Sequence, residues 1–387
     1  MKYALSNNTW DRREIRAIKS VIRSNKFTMG EKTKEFEQNF AHYFGSKFAI
    51  MVNSGSSANL LAVAALIYSG RLNKGDEVIV PAVSWSTSYY PLFQHGLKLK
   101  FVDIDLGTLN INLSKIEKAI TNKTKAIFAV NLLGNPNEFD KLTKICKEND
   151  LILIEDNCEA LGAKFKNKYC GTYGLLGTFS TFYSHHICTM EGGVVVTDDE
   201  ELYHYMLSLR AHGWTRDIPE GSKLYQKSQD DFYESFYFIL PGYNLRPLEI
   251  EAAVGIEQIK KISKIVEIRR KNAAIFRDIF SDNNNIGIQE EIGNSSWFGF
   301  AVIFRNDLEN KRKQIVRKLI NNGIEVRPIV AGNFIRNTVI NYMDYEVSGN
   351  LTNADYIHNN GFFVGNHSKD ISKEIKYFAR ILKEIKI

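Results

Sequence analysis

The sequence predicts an α/β protein in which a large domain with a mainly parallel sheet precedes a smaller α+β domain. Short apolar segments alternate with amphipathic helical segments through the first half of the chain, an order typical of parallel sheets with helical crossovers. Asp156 directly follows one apolar segment, at the edge where such sheets bind ligands. The 387 residues are enough for two domains with buried cores.

The predicted large domain begins with two helices. Asp11–Ser24 places aliphatic side chains on one face and arginines opposite, and Thr33–Phe44 forms the second helix. The expected strands are Phe48–Val52, Gly75–Val80, Lys100–Ile104, Ala126–Asn131, Leu151–Glu155, Thr178–Tyr183 and Val194–Thr197. The further helices expected in this domain are a long one after Ser57, Leu113–Ile120, Glu138–Glu148 and Glu200–Leu209.

We place the domain boundary near Arg246, so that residues 1–245 form the large domain and residues 246–387 the small one. The small domain is expected to begin with a helix at Pro247–Lys260 and a second helix that continues to about Ile279. A strand at Ser296–Phe304, a helix that ends at Leu319, the segment Gly323–Ile329 and a last helix at Ser372–Ile387 follow. The apolar side chains that the last helix packs against this domain are Ile375, Phe378, Ile381 and Ile385.

The composition bounds the class of protein. Hydrophobic residues make up 44% and charged residues 24% of the chain, which is typical of soluble globular proteins. The longest apolar run, Leu60–Tyr68, is shorter than the ~20 residues that span a bilayer. The start of the chain shows no signal-peptide pattern, so a cytoplasmic location is expected. The net charge of +6 is spread along the chain, so neither nucleic acid nor membrane is expected as a partner.

The cysteines argue against a metal centre. Cys146, Cys158, Cys170 and Cys188 are widely spaced and include no C-x-x-C pair. An iron–sulfur cluster needs several closely grouped thiolates. The sequence therefore predicts neither an iron–sulfur cluster nor a metal site.

Two segments combine small or aromatic residues with the end of a predicted strand. The step SGSSA, which contains Ser56 and Ser57, lets backbone N–H groups approach an anion at the positive end of a helix; a plain serine N-cap is the alternative. The segment AVSWSTSYY contains Trp85, whose indole can stack on a flat ring. Ordinary packing is the alternative for Trp85.

The segment GTFSTFYSHHICTMEGG carries the main candidate for catalysis, His185. Its imidazole can move protons because its ordinary pKa of about 6.5 lies close to neutral pH. The alternative is a turn histidine whose nitrogens are satisfied by backbone groups.

Five segments together resemble the fold-type I sugar aminotransferases that use pyridoxal 5′-phosphate (PLP). These segments are SGSSA, AVSWSTSYY, EDNCEALGA, GTFSTFYSHHICTMEGG and LPGYNLRPLE. The resemblance implies an aspartate aminotransferase-like large domain. In that family a lysine before the E-G-G step binds PLP covalently, and His185 occupies its position here. Because imidazole forms no stable imine, PLP and pyridoxamine 5′-phosphate (PMP) are expected to bind noncovalently. This substitution resembles the branch of the family that removes the C3 hydroxyl of 4-keto-6-deoxy sugars.

The resemblance implies roles for several of these residues toward the cofactor. Ser56, Ser57 and Ser180 are expected to hold its phosphate. Trp85 is expected to lie over the pyridine ring, and Asp156 to keep the pyridine nitrogen protonated, which makes the ring withdraw electrons.

The remaining site residues also follow from the resemblance. Glu159 stands where many relatives have glutamine, next to the cofactor. Asn244, in GYN-x-R, is expected to reach the cofactor phosphate of the neighbouring subunit, which implies a homodimer with shared active sites. The residues expected to bind substrate are His212, Trp214, Arg246 and Arg327. Arginine suits phosphate or carboxylate through its planar fork, although a surface salt bridge is the usual role of any one arginine.

The implied reaction starts when L-glutamate converts PLP to PMP and leaves as 2-oxoglutarate. The amine then meets the C4 ketone of a nucleotide-diphosphate sugar, the C3 hydroxyl leaves with help from His185, and ammonia is released. Guanine as the base comes from the resemblance alone, and a colitose-type O-antigen is the expected destination of the sugar. The alternatives are a sugar 4-aminotransferase, which would need a lysine at position 185, and a noncatalytic sugar-nucleotide-binding protein.

Overall fold

The structure is a computed structural model that describes residues 1–384. Its α-helices are α1 (Arg12–Ser24), α2 (Glu31–Phe44), α3 (Gly55–Tyr68), α4 (Tyr90–Gln94), α5 (Leu113–Ala119), α6 (Phe139–Glu148), α7 (Glu200–Arg210), α8 (Asp231–Glu234), α9 (Glu249–Ile259), α10 (Ile262–Phe280), α11 (Arg312–Asn321), α12 (Thr352–Asn360) and α13 (Ser372–Glu384). Its strands are β1 (Phe48–Val52), β2 (Glu77–Pro81), β3 (Lys98–Val102), β4 (Thr124–Val130), β5 (Ile152–Asp156), β6 (Lys164–Phe165), β7 (Lys168–Tyr169), β8 (Leu176–Ser180), β9 (Gly193–Thr197), β10 (Ile286–Ile288), β11 (Gly299–Phe304), β12 (Val326–Arg327), β13 (Tyr345–Val347) and β14 (Gly361–Gly365).

The large sheet is mainly parallel, as the alternation of strands and helices predicts. Within residues 1–384, its eight strands lie in the order β1-β9-β8-β5-β4-β2-β3-β13. Every neighbouring pair from β8 to β13 is parallel, whereas β9 runs antiparallel to its two neighbours. The strand residues are buried almost throughout, since helices cover both faces. The predicted α/β fold class is confirmed.

A second sheet is antiparallel and has the strand order β10-β11-β14-β12. Helices α10 and α13 pack on it through a shared core that includes Phe276, Phe300 and Phe378. In α13 the predicted apolar residues Ile375, Phe378 and Ile381 are buried, and Ile385 lies outside the described residues. This unit has the α+β composition expected of the small domain.

The division at residues 245/246 stays a prediction, and the packing crosses that point in three places. Helix α10 begins with Ile262 in the core that lies against α2 and ends with Phe280 in the core of the small sheet. Strand β13 pairs with β3 at the edge of the large sheet. Near the amino terminus, Tyr3 is buried among small-sheet residues and bridges to Ile324. The two units are therefore tied together by α10, by β13 and by the amino-terminal residues.

Within the described residues 1–384, no helix is long and apolar enough to cross a membrane. The same part of the chain contains no group of three or more His, Cys, Asp or Glu side chains arranged to hold a metal ion.

Candidate active site

The carboxyl ends of two neighbouring parallel strands form one wall of the site. Strand β5 ends at Asp156 and β8 at Ser180, with Asp156 opposite Thr178 in the pairing. The start of α3 lies against the same edge, because a Cβ on Gly55 would lie only 2.6 Å from the Cβ of Ser180 and 2.9 Å from Sγ of Cys158. Only glycine allows this approach, so Gly55 brings the positive end of α3 beside Ser180.

The first turn of α3 combines a helix cap with an exposed serine. Oγ of Ser54 accepts a hydrogen bond of 3.0 Å from the N–H of Ser57, which makes Ser54 the N-cap. The hydroxyl of Ser57 donates to Oδ1 of Asn53 at 2.6 Å, and Ser56 is exposed. Because the first N–H groups of a helix have no acceptor within it, the turn suits an anion. The N-cap alternative therefore holds for Ser54, and the phosphate role of Ser56 and Ser57 stays a prediction.

Asp156 is a buried carboxylate, 5% exposed, that neutral groups hold in place. Its Oδ2 accepts hydrogen bonds from Nδ2 of Asn59 at 2.9 Å and from the hydroxyl of Ser88 at 2.8 Å. Its Oδ1 accepts one of 3.0 Å from the N–H of Cys158. The hydroxyl of Thr178 donates to Oδ1 of Asn59 at 2.6 Å, which turns the amide of Asn59 toward the carboxylate. These bonds fix the carboxylate but bring no positive charge to it.

Trp85 lies on the loop that also delivers Ser88. A short 3₁₀ turn, Ser86–Ser88, follows it directly, and its last residue contacts Asp156. The indole is 58% exposed. A large aromatic ring left this open, three residues before a side chain that bonds Asp156, is available for stacking on a ligand, which favours stacking over ordinary packing.

His185 lies in a tight turn between β8 and β9, where its N–H donates to the carbonyl of Phe182 at 2.9 Å. Nδ1 of its imidazole lies 2.5 Å from the carbonyl oxygen of Cys158. Two aromatic rings flank it, Phe298 with ring centroids 5.1 Å apart and Phe182 at 6.1 Å. Since the backbone N–H of the same Cys158 bonds Asp156, one residue connects the histidine with the buried carboxylate.

The surroundings of His185 fix its tautomer and keep it neutral. A carbonyl oxygen can only accept, so Nδ1 carries the hydrogen and Nε2 has the free lone pair. Burial lowers the pKa of His185 from 6.5 to about 4, and the charge of Arg269 acts in the same direction, whereas the Cys158 carbonyl and Asp156 act against it. At neutral pH the imidazole is therefore a neutral base that presents Nε2.

Glu159 is partly buried, and its Oε2 accepts a hydrogen bond of 2.9 Å from the N–H of Leu133. Burial, together with the negative charge of Asp156, raises the pKa of Glu159 to about 7, although the Leu133 bond opposes this. A carboxyl group with such a pKa exists in both protonation states near neutral pH. It can therefore donate or accept a hydrogen bond where a glutamine would do both.

The predicted substrate residues His212, Trp214 and Arg246 form a second cluster with Asn244. Ala211 and Asn244 form a backbone bridge, the rings of His212 and Trp214 lie 4.9 Å apart, and the guanidinium of Arg246 lies 5.6 Å from the Trp214 ring. Nε of Arg246 donates to Oδ1 of Asn244 at 3.0 Å. Sequence reasoning missed Arg216, whose guanidinium is 4.3 Å from the Trp214 ring.

One backbone contact joins this cluster to the first turn of α3. The N–H of Asn53 donates to the carbonyl of Leu245 at 3.0 Å, and Asn53 also accepts the Ser57 hydroxyl. Arg327 lies on β12 of the second sheet. It is exposed, and its Nη1 bonds the carbonyl of the neighbouring Val326 at 3.3 Å. Its backbone pairs with Phe363, whose ring contacts Phe298, and the Phe298 ring contacts His185. The substrate role of Arg327 stays a prediction.

Three further groups at the site were not predicted from the sequence: Asn59, Ser88 and the backbone of Cys158. Asn59 carried a usable signal, since it is a polar residue within the apolar run that follows SGSSA, and a buried amide needs a partner. Ser88 and Cys158 carried none, because a hydroxyl in a serine-rich loop and a main-chain carbonyl look ordinary in any sequence.

Comparison with known proteins identifies relatives of full length. The chain is 57% identical over 388 residues to the GDP-4-keto-6-deoxy-D-mannose 3-dehydratase of Yersinia pseudotuberculosis, with 99% of each chain covered. A crystal structure of GDP-4-keto-6-deoxymannose-3-dehydratase with a trapped PLP–glutamate geminal diamine matches with a TM-score of 0.96 and 56% identity, over 98% of this chain and 100% of that chain. A histidine-to-asparagine variant of such an enzyme with bound GDP-perosamine matches with the same TM-score, identity and coverage.

The family comparison covers nearly the whole chain. The model of the DegT/DnrJ/EryC1/StrS aminotransferase family matches residues 8–383, a range that includes the first turn of α3, the His185 turn and the Asn244 loop. The family resemblance that the sequence motifs indicate is confirmed. The chain belongs to the DegT/DnrJ/EryC1/StrS aminotransferase family.

Proposed function

We propose that this chain removes the C3 hydroxyl from GDP-4-keto-6-deoxy-D-mannose and forms GDP-4-keto-3,6-dideoxy-D-mannose. The enzyme uses noncovalently bound PLP and PMP with L-glutamate as co-substrate, and it releases 2-oxoglutarate and ammonia. The observation that carries the proposal is the neutral imidazole of His185, which the Cys158 carbonyl orients next to Asp156. The 57% identity to named 3-dehydratases over the full chain supports it.

The residues at the strand ends fit this cofactor. Its phosphate suits the first turn of α3, where Ser56 is exposed and Gly55 leaves room beside Ser180. Its protonated pyridine nitrogen suits Asp156, because a buried carboxylate held by neutral donors is stabilised by a cation. When bound, the cofactor supplies an amine for the C4 ketone and an electron-withdrawing ring. When the cofactor is bound, the exposed indole of Trp85 would lie over one face of that ring and keep water from it.

His185 is the proton carrier of the reaction. Because Nδ1–H is held by the Cys158 carbonyl, Nε2 is the atom that accepts a proton and returns it to the C3 hydroxyl oxygen as this oxygen leaves. The lowered pKa of His185, about 4, makes the protonated imidazole a stronger acid than free imidazolium, which favours transfer to the leaving hydroxyl. General acid–base help of this kind is typically worth about 10²–10⁴-fold in rate.

A histidine at position 185 also favours dehydration over transamination. A lysine amine at this point would bind the cofactor covalently and displace an aminated sugar as the final product. An imidazole cannot do this, so the amine leaves on the unsaturated sugar, which then loses it as ammonia. The final sugar product is therefore a ketone rather than an amine.

The substrate's nucleotide diphosphate is assigned to the second cluster, where Arg246 and the Trp214 ring supply a cation and a stacking surface. We further propose a homodimer in which Asn244 reaches the neighbouring subunit's cofactor phosphate. The exposure of Asn244 and of the aromatic side chains of Phe232, Phe236 and Phe238 on the adjoining segment supports such an interface. A cytoplasmic location is part of the same proposal, since nucleotide-activated sugars are made there.

One mixture tests the proposed reaction. Purified protein is incubated with PLP, L-glutamate and GDP-4-keto-6-deoxy-D-mannose, and ammonia, 2-oxoglutarate and the sugar product are measured. We expect ammonia and 2-oxoglutarate in equal amounts with a 3-deoxy sugar, and none of them with His185→Asn. An aminated sugar without ammonia would identify an aminotransferase, and no product a binding protein. Borohydride should fix no PLP to the chain, and stoichiometric fixation would refute noncovalent binding.

A further inference from the structure

The ring of Phe298 packs against two consecutive histidines. Its centroid lies 5.1 Å from that of His185 and 5.9 Å from that of His186, with interplanar angles of 56° and 48°. Phe298 precedes β11 of the small sheet, whereas both histidines follow β8 of the large sheet. The residue that leads into the small sheet thus forms one side of the imidazole's environment.

The backbone of Phe298 is held from two directions. Its N–H donates to the carbonyl of Leu133 at 2.9 Å, and its carbonyl accepts a hydrogen bond of 3.0 Å from Nη1 of Arg269. The N–H of Leu133 in turn bonds Glu159. Arg269 is 2% exposed, so its guanidinium is buried in the protein interior. The position of Phe298 is therefore determined by the turn that follows β4 and by helix α10.

The residue before it, Trp297, adopts a backbone conformation that residues other than glycine normally avoid. Its φ is +48°, although its indole is large and 2% exposed. Its carbonyl accepts hydrogen bonds from Nδ2 of Asn366 at 2.8 Å and from Nη1 of Arg269 at 3.3 Å. Such backbone strain persists only where the surroundings enforce it, and it concentrates at functional sites. Here the strained residue turns the chain so that the next side chain faces His185.

We propose that Phe298 is a positioning residue for His185, whose ring keeps the imidazole out of water and oriented with Nδ1 on the Cys158 carbonyl. The inference rests on the proposed function, in which Nε2 of His185 carries the proton. The ring offers no hydrogen-bonding group that would compete for Nε2. Burial is the main cause of the lowered pKa of His185, and Phe298 supplies part of that burial.

The test must separate the ring from the charges around His185. The charged and titratable groups that face the imidazole are Asp156, Cys158, His186 and Arg269. Phe298→Leu leaves all four in place and keeps an apolar side chain, so the variant removes only the aromatic wall. Phe298→Tyr keeps the ring and serves as the conservative variant. Phe182→Leu is the matched control, because Phe182 also contacts the imidazole but is 41% exposed.

The first readout needs no substrate. The full-length apo protein is labelled with ¹⁵N-histidine, the His185 signals are assigned by their loss in His185→Asn, and they are followed through a pH titration. In Phe298→Leu we expect the pKa of His185 to rise by about one unit toward its ordinary value, with partial loss of the Nδ1–H tautomer. Phe298→Tyr should restore both, and Phe182→Leu should shift the pKa less. An unchanged pKa and tautomer in a folded Phe298→Leu protein would overturn the inference.

The second readout is the reaction of the loaded enzyme. We expect Phe298→Leu to lower kcat about tenfold at unchanged KM for the sugar. The acid limb of its pH–rate profile should move to higher pH. An equal loss of kcat and rise in KM across all pH values would indicate a merely structural role and overturn the inference. If the wild-type protein gave no ammonia, the proposed function would fail, while the ¹⁵N titration would still decide whether Phe298 controls His185.

Discussion

Replacement of Asp156 by asparagine tests the cofactor assignment most directly, because it removes one charge and almost no volume. The carboxylate faces three donors, the amide of Asn59, the hydroxyl of Ser88 and the N–H of Cys158. Asparagine has one acceptor oxygen. That oxygen belongs at the Oδ2 position, where two donors converge, so the amide nitrogen must face the N–H of Cys158.

The structure allows the size of the effect to be worked out. A buried N–H that loses its acceptor costs about 1–3 kcal/mol, but removal of a buried negative charge offsets part of this in the apo protein. We therefore expect the unfolding free energy of apo Asp156→Asn to fall by no more than about 2 kcal/mol. Loss of the charge opposite a buried cation costs about 2 kcal/mol or more, so PLP should bind at least roughly 30-fold more weakly.

PLP affinity is measured by fluorescence titration of the apo protein, and stability by urea unfolding of the same preparation. Asp282→Asn is the matched control, because Asp282 is exposed at the end of α10, and it should leave both quantities unchanged. Ammonia release by Asp156→Asn should fall with the affinity and stay low at saturating PLP. Wild-type PLP affinity in a folded Asp156→Asn protein would refute the assignment of Asp156 to the pyridine nitrogen.

Three further predictions concern the helix turn, the histidine and the dimer. Gly55→Ala puts a Cβ within 2.6 Å of Ser180, so PLP affinity in fluorescence titrations should fall at least about tenfold; unchanged affinity would refute the phosphate site. The pKa of His185 is lowered to about 4, so below pH 6.5 the unfolded chain binds a proton that the folded protein does not. The unfolding free energy should therefore fall by up to about 3 kcal/mol as the pH drops from 6.5 toward 4. In urea unfolding across this range, the unfolding free energy of His185→Asn should depend less steeply on pH. If Asn244 acts in the neighbouring subunit, a 1:1 mixture of inactive His185→Asn and Asn244→Ala chains that pair at random should regain about a quarter of wild-type ammonia release. About half of the dimers are then mixed, and each mixed dimer has one intact site of two. No recovery would contradict shared sites.

Several features of the fold and the site follow from local patterns in the chain. Strand β1 has the predicted bounds, and β5 delivers Asp156 to a sheet edge as expected, since runs of apolar residues and their polar ends record burial directly. Strand β8 ends at Ser180, three residues before the predicted end. Its apolar and aromatic residues continue to Tyr183, but Phe182 and Tyr183 are exposed, so hydrophobicity alone misplaces that boundary.

Long-range contacts lie beyond such patterns. The sequence alone leads to the α/β class, to the cofactor motifs and to an imidazole in place of a lysine amine, because each of these depends on residues that are close together in the chain. It does not reveal that Asn59 and Ser88 hold Asp156, that the Cys158 carbonyl selects the tautomer of His185, or that Phe298 closes one side of the imidazole. These partners come from separate segments, and they meet only when the two sheets pack, so no local propensity or spacing encodes them.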